Sequence, residues 1–155
     1  CIHKMVLDPR NSDTLYMQYH GGVFKSSDGA EHWQAIESGL PGNFGFPMAI
    51  TADGLLFIAP LKSDEHRYFP EGRSAIYKSR DGGTSWQESR NGLPEQYFAG
   101  VLRDALAVDS CRPTGVYFGT TAGDMFYSRD GGESWQQLPG RLPRVQTVRV
   151  MSCPA

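Results

Sequence analysis

Hydrophobic and polar positions alternate along the chain in short runs punctuated by turn residues, and no helical period persists anywhere. The first such runs are Ile2–Leu7 and Thr14–Tyr19, separated by the turn signal Asp8-Pro9-Arg10-Asn11, followed by Gly22–Ser26. The same order returns with Pro47–Thr51 and Leu55–Pro60 around Asp53-Gly54, then Ala75–Ser79. It returns again with Leu102–Val108 and Gly115–Gly119 around Asp109–Thr114, then Asp124–Ser128. Alternation with a period of two over runs this short predicts half-buried β-strands.

After each third run comes an octapeptide: SSDGAEHW at Ser26–Trp33, SRDGGTSW at Ser79–Trp86 and SRDGGESW at Ser128–Trp135. Its aspartates Asp28, Asp81 and Asp130 are 53 and 49 residues apart. A period in this range marks an array of supersecondary units. Each octapeptide is expected to join a third strand to a fourth, its Asp-Gly and Gly-Gly pairs supplying positive-φ positions and its Ser and Asp side chains bonding backbone amides. Each Trp then opens the outer strand and is expected to pack between neighbouring sheets. A polar segment ending in Leu40-Pro41, Leu93-Pro94 or Leu142-Pro143 completes the unit.

Four short strands per unit match one blade of a β-propeller, so the fold class is all-β. The expected blades cover residues 1–42, 43–96 and 97–143, with a closing strand at 144–151.

The octapeptides resemble the Asp-box, or BNR repeat, Ser-x-Asp-x-Gly-x-Thr-Trp. Ser79, Asp81, Gly83, Ser85 and Trp86 match it, as do Ser128, Asp130, Gly132, Ser134 and Trp135, each with Ser for Thr. The first copy keeps Ser26, Asp28 and Trp33 but has Ala30 for the Gly and His32 for the Thr, so a looser turn is expected there. The repeat occurs in sialidases, xyloglucan-type glycoside hydrolases, sortilin-like receptors, photosystem assembly factors and bacterial WD40/YVTN/BNR-like repeat proteins. The resemblance covers nearly the whole chain. It implies that the octapeptide residues are structural and lie opposite the ligand face.

Three blades fall short of the 4–8 of a closed ring, and seven at about 45 residues each need about 315. The chain is therefore expected to be the C-terminal half of a seven-bladed ring; the alternative is a half-ring that closes with a second copy. Composition adds exclusions. A net charge of −2 gives no electrostatic reason to expect nucleic acid or an anionic membrane as partner. No apolar stretch approaches the roughly 18 residues of a membrane span. Cys1, Cys111 and Cys153 form no metal-binding spacing, and their odd number favours a reducing compartment, hence the cytoplasm. No metal and no cofactor are expected.

Candidate chemistry belongs to the face opposite the octapeptides. Lys62–Gly72 (KSDEHRYFPEG) interrupts two strands that need only a short turn, and long loops on rigid scaffolds often carry function. Beside Asp64 it concentrates Glu65, His66, Arg67 and Tyr68: groups suited to acid–base work, carboxylate recognition and stacking on a sugar. Arg103 and Asp104 stand at the approach to the third blade's inner strand, where alternation allows only one of them to face the core. His20 is positioned to reach the same mouth from the first blade; Phe44 and Phe46, entering the second blade, either offer apolar contact there or fill the core, the commoner use of such residues, and His3 and His32 read as structural. The expected function is a non-catalytic platform for a glycan or protein ligand. The alternative is a sialidase-like or xyloglucanase-like glycosidase, which needs two flanking carboxyls or a Tyr nucleophile.

Overall fold

The computed structural model describes residues 1–151, so Cys153 lies outside the described residues. Twelve strands form three four-stranded antiparallel sheets, each strand pairing with its neighbour in sequence. The first holds β1 (Ile2–Asp8), β2 (Asn11–Tyr19), β3 (Gly22–Ser26) and β4 (Gln34–Ala35). The second holds β5 (Phe44–Ile50), β6 (Leu56–Leu61), β7 (Ile76–Ser79) and β8 (Gln87–Ser89). The third holds β9 (Leu106–Val108), β10 (Val116–Gly119), β11 (Met125–Ser128) and β12 (Gln136–Gln137).

Two strand limits move for local reasons. β5 reaches back to Phe44 because the register shifts between Gly45 and Met48, bulging around Pro47, which has no N–H for the ladder. β9 starts only at Leu106 because the Ala105 N–H donates to the Leu102 carbonyl at 3.0 Å, closing a turn ahead of it. Residues 144–151, where a closing strand is expected, run parallel to the approach to β9. Thr147 bridges Asp104, and the Val148 and Val145 N–H groups donate to the Asp104 and Thr120 carbonyls at 2.8 and 3.0 Å.

The sheets pack face to face. Because side chains alternate, the second sheet sends Met48, Leu56 and Ile58 against Tyr16, Val23 and Ile36 of the first. It sends Ala49, Phe57 and Ile76 the other way, against Phe118, Phe126 and Trp135 of the third. Every residue of β6 is therefore buried. Trp86 and Trp135 reach back onto the preceding sheet, their indole N–H groups donating to the Ile36 carbonyl at 2.6 Å and Ser89 Oγ at 2.8 Å. Trp33, in the first sheet, is half-buried and makes no such bond among the described residues.

The three octapeptides join β3 to β4, β7 to β8 and β11 to β12 by one scheme. Ser26, Ser79 and Ser128 donate to Asp28, Asp81 and Asp130 at 2.6–2.8 Å and accept from the N–H four residues on at 2.8–2.9 Å. The second oxygen of Asp81 and Asp130 takes the hydroxyl of Ser85 and Ser134 at 2.6 and 2.5 Å. The first turn is not looser than the others. Ala30 adopts φ 76° and keeps the bond to Ser26, and His32 Nδ1 takes the hydroxyl's place at 2.7 Å from Asp28. All three carboxyls are held at about 2. For Asp28 the His32 amide and ring are responsible, and for Asp81 the hydroxyl and amide of Ser85. For Asp130, burial pushes upward and is overcome by bonds from Ser128 and Ser134.

Candidate binding site at the loop face

The chain crosses one face of the array at the β2–β3 and β10–β11 turns, at the β6–β7 loop (62–75) and in the connections between sheets; the octapeptides and the first-to-second strand turns occupy the other. On the first face Phe46, at the bulge of β5, is the centre. The guanidinium carbons of Arg67, from the β6–β7 loop, and Arg103, from the approach to β9, lie 5.4 and 5.7 Å from its ring centre. At exposed sites each such contact is worth about 0.5–1 kcal/mol. Behind Phe46, His3 packs with ring centres 4.7 Å apart, and His3, His20 and Phe44 meet edge to face at 5.3–5.5 Å. His3 is buried and its Nδ1 lies 2.6 Å from the Gly45 carbonyl; burial is the main influence holding its pKa below 6.5.

Phe46, Arg67, Leu102, Arg103, Asp104 and Gln146 enclose an open cavity of about 280 Å³. The carboxylate that lines it, Asp104, and Asp64 beside it are already engaged. Asp64 is paired with Arg67 and stands 3.7 Å from His20 Nε2. Asp104 accepts from Lys4, on β1 of the first sheet, at 2.6 Å and has Arg149 at 3.9 Å. The bond from Lys4 is the largest cause of its lowered pKa. Among the described residues Arg103 has no carboxylate within ion-pair distance; its one polar contact is a long one, 4.0 Å, to Cys1 Sγ. The mouth thus carries Lys4, Arg67, Arg103 and Arg149 against Asp64 and Asp104, a cationic rim around an aromatic floor.

Of the residues expected here from sequence, the structure gathers His20, Arg67, Arg103 and Asp104. Arg103 and Asp104 both reach the mouth and neither faces the core, because they sit in the turn before β9, where the strand alternation expected for them does not apply. Glu65 points to solvent and lines no part of the cavity. His66 and Tyr68 also stay off it. Their rings meet at 5.8 Å, and Tyr68 continues onto Phe98 at 5.4 Å with Lys62 over its face at 5.8 Å. Phe46, for which apolar contact was the less common reading beside core, is the floor of the site. His3, read as structural, and Lys4, which carries no signal of its own in the sequence, flank it.

A second cavity of about 270 Å³ lies on the octapeptide face among Asp53, Arg80, Asp109, Arg112 and Asp130. Its acids are consumed by their own turns: Asp53 by Thr51, Asp109 by the Gly115 amide and Tyr117, Asp130 by Ser128 and Ser134. Among the described residues no group of His, Cys, Asp and Glu is placed to hold a metal ion, and no helix is long and apolar enough to cross a membrane.

No protein-family model matches the chain, and none of the curated proteins matches it. Solved structures do. An ancestral GH74 enzyme superimposes with a TM-score of 0.70 at 20% identity, over 90% of this chain and 18% of its own. YCF48 from Cyanidioschyzon merolae gives 0.61 at 14% identity, over 88% of this chain and 36% of its own. The GH74 xyloglucanase from Xanthomonas campestris gives 0.56 at 19% identity, over 94% of this chain and 20% of its own. The chain therefore spans well under half the length of these proteins. At such identities the likeness speaks for architecture alone, and it shows the three sheets to be blades of the β-propeller fold.

Proposed function

We propose that the protein is a non-catalytic binding platform whose site is the cationic mouth around Phe46, and that it takes an acidic group of a peptide or protein. One observation carries this reading: Arg103 is held over the Phe46 ring at an open cavity and has no carboxylate partner among the described residues. A guanidinium kept in place by stacking, with its donors free, suits bidentate capture of a carboxylate. One of the similar structures is of YCF48 bound to a D1 peptide, which supports a peptide ligand for this architecture. In this reading the octapeptides are Asp-boxes acting as structural staples. The ring is completed by blades beyond the three described.

A second reading, glycoside hydrolysis of xyloglucanase-like or sialidase-like type, draws on the GH74 likenesses. It asks for a general acid that keeps its proton near neutral pH. Asp104, the carboxyl at the cavity, is pushed the opposite way by Lys4.

Fluorescence anisotropy with a labelled oligoglutamate peptide separates the readings when run beside fluorogenic sialoside and xyloglucan-oligosaccharide assays. The expected result is salt-sensitive binding that Arg103→Ala abolishes, with no turnover. Turnover lost in Asp104→Asn, or peptide binding indifferent to Arg103→Ala, overturns the platform reading.

A further inference from the structure

The two blade-to-blade interfaces follow one rule, and the rule reads onto a third face that lacks a neighbour. Call the side of a blade turned toward the preceding one its front. The front row of the second blade is Met48–Ile58–Tyr77, each paired directly with the next, and that of the third is Leu106–Phe118–Phe126. In the first blade the same row is Met5–Met17–Phe24. It is equally apolar but uncovered: Met5 is 47% exposed and Leu7, beside it, 53%, whereas Met48 is 1% exposed. Trp33 holds in its octapeptide the position of Trp86 and Trp135 in theirs.

The polar contacts repeat in part: the tryptophan bond occurs at both inner interfaces, the lysine–glutamate pair only at the one whose octapeptide carries a glutamate, since Thr84 stands at that position in the second. The back of each inner interface offers a lysine just before the octapeptide serine, Lys25 or Lys78. Lys78 is 2% exposed, and its Nζ reaches into the next octapeptide, 2.6 Å from Glu133 and 3.4 Å from the Gly132 carbonyl. Glu31 holds the position of Glu133 in the first octapeptide. The back also offers an acceptor to the next tryptophan, three residues beyond its own: Ile36 after Trp33, Ser89 after Trp86. One position departs from the rule in a way that sizes the partner. Gly132 is pressed so closely that a Cβ there would come 2.9 Å from Phe57, and one on Gly83 would collide with Ile36. The first blade has Ala30 at this place and so needs a smaller residue opposite.

The back of the third blade does not meet these requirements. Tyr127 stands where Lys25 and Lys78 stand, with Arg129 over its ring at 5.3 Å. A second copy of residues 1–155 added head to tail therefore brings no lysine to Glu31.

We infer that the front of the first blade docks a further four-stranded blade. This partner carries a third-strand lysine for Glu31, an outer-strand acceptor for the Trp33 indole, and a small side chain against Ala30.

The test uses the protein isolated from its source, so that any natural neighbour is in place, and reads two chemistries by peptide mass spectrometry. In hydroxyl-radical footprinting Met5 and Trp33 are expected to lose reactivity to the level of buried Met48 and Trp135. Met5 reacting like the exposed Met151 overturns the inference. In zero-length carbodiimide coupling, Glu31 is expected to join a lysine that does not belong to residues 1–155, while Glu133–Lys78 serves as the internal control. Coupling of Glu31 to Lys4, Lys25, Lys62 or Lys78 of a second copy overturns it. So does the control product appearing with Glu31 unreacted.

Discussion

The two faces of the array are built on opposite terms. On the octapeptide face the same positions make the same turn three times, and Asp28, Asp81 and Asp130 spend their oxygens on donors within their own turns. At the mouth no two blades contribute alike. Lys4 comes from the first, Phe46 and Arg67 from the second, Asp104 and Arg103 from the third, and the Lys4–Asp104 and Arg103–Phe46 contacts run between blades. The difference teaches where to look for a ligand in a repeated architecture. Groups that recur satisfy themselves and hold the fold, while groups that do not recur leave donors over.

The sharpest way to break the comparison is at the tryptophans, which repeat in sequence but not in burial. Trp135→Ala is expected to cost about 3–5 kcal/mol, half-buried Trp86→Ala about 2–3, and Trp33→Ala about 1 or less. Chemical denaturation of the three variants checks this, and equal losses would mean that the octapeptide alone, not the neighbouring blade, sets the contribution. Next come the two forms of the fifth octapeptide position. Gly83→Ala, at φ 88° and against Ile36, is expected to destabilise by about 2–3 kcal/mol. Ala30→Gly relieves a left-handed alanine and is expected to raise stability by up to about 1 kcal/mol. Melting temperatures that move the same way for both would remove the packing difference argued for the first blade's front.

Acid titration probes all three turns together. Their carboxyls are lowered from 3.8 to about 2 in the folded state, so the unfolded chain takes up protons first. The stability they contribute is present above about pH 4 and drains away between about 4 and 2. Asp81→Asn is expected to flatten the loss in that window, as followed by circular dichroism. The smallest effect on stability belongs to the mouth. Arg103→Ala, a surface change, is expected to shift stability by no more than about 0.5 kcal/mol while removing peptide binding. A larger loss of stability would move Arg103 to the structural side of the comparison.

The strands and turns were legible because their signals are local. Alternation around Asp8–Asn11 and Asp53-Gly54, and the Ser-x-Asp-Gly turns, are all written within a few residues. The mouth was legible only in part. Arg67, Arg103 and Asp104 were found because they sit in or beside loops longer or more charged than a strand connection requires, and His20 because it stands at a second-to-third strand turn, before Gly21-Gly22. Phe46 was ambiguous, since an aromatic flanking Pro47 carries the same signal whether it fills a core or floors a cavity. Tyr68 misled for the converse reason: it stands beside Arg67 in sequence, yet its ring follows Phe98 along the loop's other side. Which way a loop side chain turns depends on what the next blade brings against it, and no periodicity encodes that.

The Lys4–Asp104 pair joins residues a hundred positions apart, on the two outer blades. Arrays whose units touch only their neighbours fray from the ends inward. A half-exposed ion pair contributes only about 0–1 kcal/mol, too little to hold the arc by itself. It is enough, however, to make the first and third blades share their fluctuations. Raising ionic strength weakens that tie. Amide hydrogens of the outer blades should then exchange as two separate populations, while the central blade, covered on both faces, keeps its protection.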